Sequence, residues 1–301
     1  MKILLSGIYY PMAILRYFEL ALQNMEDIQL CTIGPYTGNW IPWKGGMHVE
    51  MKYAKQPTIP LQDMISMGKA PLTPFISQIE KELDGKPDLF IQVDAGFHFT
   101  NSPYKTVGIA TDPHCLNYEP LRKQVSKLYN MQEVYMKPGD VYLPYAYSQF
   151  VHYPVENREV FYDTGMVGLQ YDVRVMAYNK IRDAGYKVYF SIGDIFDEYR
   201  EVLNSFSSVI SISSLDDLIA RTFEVTAMNV PLISNTVTDT PKFFKEYEHY
   251  YPVEGYNDTL TAVKWVVENP DKAKEMSERA YEQVKPHTYT NRIKQILEDQ
   301  L

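Results

Sequence analysis

Glu224 and Arg221, one helical turn apart, are the side chains here best suited to ligand chemistry. They sit in the run Arg221-Thr222-Phe223-Glu224-Val225-Thr226-Ala227-Met228-Asn229-Val230-Pro231-Leu232-Ile233-Ser234. A carboxylate can accept hydrogen bonds from two neighbouring hydroxyls, and charge-assisted bonds are the stronger kind. A guanidinium matches phosphate geometry. The same i,i+3 spacing also suits an ordinary ion pair on a helix surface, so the residues alone leave both readings open. Gly168 follows a segment read as a strand at Asp163–Val167, where a glycine turn offers backbone N–H groups to phosphate. Arg174, shortly after it, is a second cation for a diphosphate.

The N-terminal half holds a different set. Thr111-Asp112-Pro113-His114 follows the apolar run Lys105–Ala110. Histidine ordinarily titrates nearest neutrality, so His114 suits a general base, with Asp112 and Asp94 as rivals and His98 as a weaker candidate. The ordinary alternative is a histidine that caps a helix or packs under a loop. Gly7 ends the apolar run Lys2–Ser6, where a doubly wound sheet places a ligand loop. The loop from Gly7 to Tyr10 lacks the spacing G-x-G-x-x-G, which argues against a dinucleotide fingerprint. Trp40 and Trp43 lie in an irregular stretch over 34–55; they either stack on a sugar or cover the core.

These residues need a scaffold that carries them at strand ends. Short apolar runs ending in glycine or proline alternate with amphipathic segments along the whole chain. They read as strands and helices of parallel sheets covered on both faces. The chain opens β-α-β, with Pro11 expected in the first turn of the first helix. A polar, aromatic segment at Ser148–Arg158 is read as a linker. The expected organisation is an α/β protein of two doubly wound Rossmann-like domains facing across a cleft. The domains are residues 1–150 and 151–285, and a C-terminal helix at 286–301 packs back on the first. In such sheets ligands collect beyond the carboxyl ends of the strands.

Composition narrows the class. The net charge of −9 argues against a general nucleic-acid binder, which needs a surplus of Lys and Arg on one face. Cys31 and Cys115 are the only two cysteines, too few for a disulfide framework or a zinc site, and both are expected as thiols. No clear Asp-x-Asp pair stands at a strand end, and no metal site is expected. No signal peptide and no apolar run of membrane-spanning length is evident, so a cytoplasmic location is expected.

Residues 221–234 resemble the donor-binding segment of GT-B glycosyltransferases, where a glutamate precedes a small-residue helix and a turn into a buried strand. The Arg-Thr-Phe-Glu form and the ending His287-Thr288-Tyr289-Thr290-Asn291-Arg292 resemble the spore maturation protein CgeB-like glycosyltransferases. Thr111–His114 and Leu143-Pro144-Tyr145-Ala146 are similar to that family as well. The resemblance implies a metal-independent transfer of a sugar from a nucleotide-diphosphate sugar to a carbohydrate or other hydroxyl acceptor, without a further cofactor. It implies that Glu224 binds the donor ribose, with Gly7, Gly168, Arg174, Arg221 and Thr222 also on the nucleotide sugar. In the related glutamate-x7-glutamate pattern the earlier acid falls at Asp216, a shorter side chain that reaches less far. The acceptor side then belongs to Asp112 and His114. Other readings are a sugar-nucleotide 2-epimerase, a non-catalytic nucleotide- or glycan-binding coat or assembly protein, and a phage-type enzyme acting on modified DNA bases.

Overall fold

The computed structural model describes residues 1–42, 46–62 and 67–300. Two compact units divide the chain. Unit 1 is Met1–Pro144 with Ile293–Leu301, and unit 2 is Tyr145–Arg292.

Unit 1 is built on a sheet of seven strands. The chain forms β1 (Lys2–Ser6), α1 (Leu15–Gln23), β2 (Gln29–Pro35), β3 (Trp40–Ile41), β4 (Met47–His48), β5 (Ile59–Leu61), β6 (Lys69–Pro71), α2 (Ile76–Glu82), β7 (Leu89–Asp94), β8 (His98–Thr100), β9 (Thr106–Ala110), α3 (Glu119–Arg122), β10 (Lys127–Asn130) and β11 (Val141–Tyr142). The sheet order is β11-β10-β9-β7-β1-β2-β5, with every pairing parallel. Strands buried on both faces read as unbroken apolar runs, which is why β1, β7 and β9 were visible in the sequence. Leu4, Ile33, Ile79, Phe90, Phe97 and Phe99 form the centre of one core layer. β3 and β4 make an antiparallel hairpin, and β6 pairs with β8 in a small separate sheet. Trp40 is 38% exposed on that hairpin; Trp43 lies outside the described residues.

Pro11 does not open α1. It lies in a turn closed by the Ala13 N–H on the Tyr10 carbonyl (3.0 Å), and the helix starts at Leu15. The last residues of the chain complete unit 1. Ile293, Ile296 and Leu297 are buried. Lys127 Nζ and the Tyr129 hydroxyl both donate to Asp299, at 2.6 and 2.5 Å.

Unit 2 repeats the plan with five parallel strands. It contains β12 (Thr164–Val167), α4 (Asp172–Asp183), β13 (Val188–Ser191), α5 (Asp197–Asn204), β14 (Val209–Ser211), α6 (Ala220–Ala227), β15 (Leu232–Ser234), β16 (Tyr251–Pro252), α7 (Thr259–Glu268), α8 (Pro270–Val284) and α9 (Tyr289–Gln300), the unit boundary falling within α9. The sheet order is β13-β12-β14-β15-β16. Met166, Tyr178, Ile210, Ile233, Val263 and Val266 sit at its core. α6 ends because Asn229 takes the left-handed conformation (φ 55°) just past the helix and Pro231 forbids its continuation.

Strand order fixes where ligands can sit. In unit 1 the chain builds outward from β1 through β2 and then returns to β7 on the other side. In unit 2 it goes from β12 to β13 and returns to β14. The switch points therefore lie beyond β1/β7 and β12/β14, where doubly wound sheets bind ligands.

Candidate functional site

Unit 2 gathers four of the sequence candidates at its switch point. The Arg221 guanidinium, carried by α6, reaches the end of β12 and donates from Nη2 to the Val167 carbonyl at 2.8 Å. Gly168 makes room for it. A Cβ on Gly168 would lie 2.7 Å from Arg221 Nη2 and 3.9 Å from Arg174 Nη1, and φ there is +155°. Arg174 is 9% exposed; it donates from Nη1 to the Leu169 carbonyl (3.0 Å) and from Nε to the Tyr256 hydroxyl (2.7 Å). Two guanidinium groups thus flank one glycine at a strand end. Among the described residues, Arg221 Nε is buried without a hydrogen-bond partner of its own.

Gly168→Ala tests this arrangement. The methyl meets a hydrogen-bonded guanidinium in a backbone conformation that L-residues rarely adopt. A loss of about 1–3 kcal/mol in stability is expected, with Arg221 displaced from Val167. Chemical denaturation measures it, and a variant as stable as the parent removes the close packing of Gly168 from the account.

Glu224 faces the same region one turn further along α6. Its side chain is 12% exposed. The Tyr199 hydroxyl donates to Oε2 at 2.9 Å. Burial raises the Glu224 carboxyl above its ordinary range, against the pull of Arg221 and the Tyr199 hydrogen bond. Burial also works against the charge on Arg221, but Tyr199 and Glu224 beside it outweigh burial and raise the guanidinium.

Thr222 lies 2% exposed beside Glu224 on α6. Together with Ser211, Ser213, Ser234 and Asn235 it lines a small crevice at the ends of β14 and β15. Asp216 is placed differently. It is exposed, and its two oxygens accept from the Thr238 backbone N–H (2.7 Å) and hydroxyl. Those bonds lower its pKa and tie two loops together.

In unit 1, Gly7 closes β1. A Cβ on Gly7 would stand 2.6 Å from the Val93 carbonyl oxygen, and one on Gly34 would stand 1.9 Å from the Gly7 carbonyl oxygen, so these backbones touch only because both residues are glycine. Asp94, at the end of β7, is 4% exposed and pairs through Oδ2 with His98 Nδ1 at 3.1 Å. Its Oδ1 accepts from the Gly96 N–H (2.7 Å). Asp112 accepts from the Thr111 hydroxyl at 2.6 Å, and that hydroxyl also reaches the Asp94 carbonyl at 2.9 Å. Tyr118 bridges the same points, donating to the Asp94 carbonyl at 2.7 Å and accepting from the N–H groups of Thr111 and Asp112 at 3.1 Å each. Asp94, His98, Thr111 and Asp112 therefore form one connected polar cluster. His114 is exposed, with Nδ1 3.4 Å from Gln132 Oε1. Cys31 is buried and Cys115 exposed, both as free thiols.

Tyr199, Tyr256 and Tyr118 were not singled out by sequence, and Thr111 was named only as part of the Thr111–His114 motif. Thr111 had a signal, since it stands at the first position after a buried strand. The tyrosines had none, as their partners are remote in the chain. Among the described residues no three His, Cys, Asp or Glu side chains converge as metal ligands, and no helix is long and apolar enough to cross a membrane.

Residues 171–298, just under half of the chain, match the family described as glycosyl transferase-like. An alpha-glucosyltransferase solved with UDP and a 13-mer DNA superposes with a TM-score of 0.68 at 10% identity, covering 99% of each chain. The fold is that of the GT-B glycosyltransferases. HepE of Anabaena, solved with UDP and glucose, gives a TM-score of 0.64 at 10% identity over 99% of both chains. Sucrose-phosphate synthase of Thermosynechococcus elongatus gives 0.64 at 12% identity, over 99% of this chain and 98% of that one. No curated protein matches the sequence. The glycosyl transferase-like stretch of this GT-B chain includes Arg174, Tyr199, Thr222, Arg221 and Glu224.

Proposed function

We propose that the protein transfers a sugar from a nucleoside-diphosphate sugar to a hydroxyl acceptor. The observation that carries this reading is the packing of Arg221 and Arg174 around Gly168 at the switch point of unit 2, with Glu224 one turn further along the same helix. The two guanidinium groups match a diphosphate, whose charge grows as the sugar leaves. Glu224 matches the ribose diol. In this reading the arginines, rather than a metal ion, neutralise the leaving group. UDP is the first nucleotide to try, because HepE and the alpha-glucosyltransferase of the same fold were solved with it.

The test is a thermal-shift screen of UDP, other nucleoside diphosphates and their sugar conjugates, with and without divalent metal. A ligand at 100 times its Kd adds ~2.7 kcal/mol of stability. A shift with one nucleotide family in the absence of metal supports the proposal. A folded sample that responds to none of them overturns it and favours a non-catalytic assembly role.

The proton of the acceptor hydroxyl is assigned to unit 1, to the Asp94–His98 pair or to Asp112 with His114. General bases contribute about 10²–10⁴-fold to rate. His114→Ala is expected to lower kcat and leave the donor Kd unchanged. Full turnover in that variant transfers the role to Asp94 and His98.

A further inference from the structure

The carboxylate of Glu224 is faced by side chains from two other parts of unit 2. Tyr199, on α5, donates to Oε2 at 2.9 Å. His152, in the turn at 148–152, places Nε2 3.9 Å from Oε1. Tyr199 is 8% exposed and His152 fully buried, and their rings meet edge to face with centroids 5.9 Å apart. The backbone N–H of Ser148 donates to His152 Nδ1 at 3.1 Å. A ring nitrogen that accepts is unprotonated, so the neutral imidazole carries its proton on Nε2, the nitrogen that faces Glu224.

We propose that Tyr199 and His152 are positioning residues that orient the Glu224 carboxylate for the two ribose hydroxyls of the donor. This rests on the reading of Glu224 as the ribose ligand. A carboxylate has about four lone-pair sites. Tyr199 takes one, and the N–H of His152 faces the other oxygen from 3.9 Å, beyond hydrogen-bond range, so that its dipole acts on that oxygen and leaves its lone pairs to a ligand. Both groups are neutral donors. They orient the carboxylate without cancelling the charge that makes its bonds to hydroxyls strong. A lysine or arginine in either place would compete with the ligand for the same oxygens. The titratable groups facing Glu224 are Tyr199 from α5, His152 from the turn, Arg221 from its own helix and Tyr289 from the start of α9; Arg200 faces His152.

The experiment measures UDP affinity as a function of pH in the full chain. Tyr199→Phe deletes one hydroxyl and keeps the ring against His152. A loss of about 5–10-fold in affinity at neutral pH is expected, less than the loss of a ligand bond to the charged carboxylate itself, because Tyr199 acts on the ligand only through Glu224. The acid limb of the affinity profile should also move to higher pH, because the bond that favours the ionised carboxylate is gone. His152→Gln keeps an N–H near the Nε2 position and should hold the limb in place, whereas His152→Leu should shift it upward. Circular dichroism establishes that each variant is folded. If Glu224→Ala loses affinity while Tyr199→Phe and His152→Leu keep both the affinity and the limb of the parent, the positioning role is wrong. If Glu224→Ala itself binds UDP like the parent, the ribose reading falls and takes this inference with it.

Discussion

Glu224→Ala is expected to weaken binding of a nucleoside-diphosphate sugar by ~1.5–3 kcal/mol, about 10- to 150-fold in Kd, the range for hydrogen bonds to a charged group. The side chain is only 12% exposed and one oxygen accepts from Tyr199, so solvent has little access to its place. Stability should respond differently from affinity. Burial raises the pKa of this carboxyl, which means the ionised form is held in the fold at a cost. Removing the charge relieves that cost, but alanine also leaves the buried Tyr199 hydroxyl without its acceptor. Glu224→Gln separates the two effects, since the amide oxygen still accepts from Tyr199. It should melt at or above the parent temperature and still bind donor more weakly. Titration calorimetry and thermal melts measure both quantities, and donor affinity equal to the parent in both variants would falsify the assignment of Glu224.

A second large effect is expected in acid. His152 is fully buried, and burial, helped by Arg200, lowers its pKa to about 3. A histidine in the unfolded chain titrates near 6.5. Above that pH both states are neutral and the contribution to stability is complete. As pH falls below it the unfolded chain takes up the proton first, so stability drops until the folded histidine also protonates near pH 3. The slope is on the order of 1.4 kcal/mol per pH unit. His287 is lowered to about 4 by burial and Arg292; being only half-buried, it contributes a smaller slope of the same sign. Glu224, raised in the fold, works in the opposite direction, because the folded state binds its proton first. Melting temperatures between pH 7 and 5, measured in the parent and in Glu224→Gln, separate the histidines from Glu224. His152→Gln should flatten the dependence, and an unaltered slope in that variant means another group is responsible.

The alternation of strands and helices was plain in the sequence because parallel strands buried on both faces have no polar positions to break the run. Lys2–Ser6 into Gly7, with Ile3, Leu4 and Leu5, shows it well. The segment read as Asp163–Val167 is β12, Thr164–Val167. The Arg221–Glu224 motif was legible since helix spacing alone puts both side chains near one face. What surrounds them was not. Tyr199 lies 25 residues before Glu224, and His152 is further still. No local period relates either to the carboxylate; only the folding of unit 2 brings them together. β6 and β8 were missed for a similar reason, each being three residues long and paired with the other across 29 positions. Asp216 shows the reverse case. Its position in the chain matched a pattern, but nothing in the linear sequence indicated that Thr238 would take both of its oxygens.

The boundary within α9 bears on how the chain is made. Unit 2 is continuous from Tyr145 to Arg292, whereas unit 1 needs residues from both sides of it. On a ribosome the first 144 residues emerge early, yet the site on Tyr129 and Lys127 for Asp299, and the burial of Ile293, Ile296 and Leu297, stay unfilled until the last turns of α9 arrive. Domains generally fold as units in order of synthesis. The two units stand differently to that order: unit 2 is one continuous stretch, whereas unit 1 keeps apolar surface uncovered until residues 293–297 have followed unit 2.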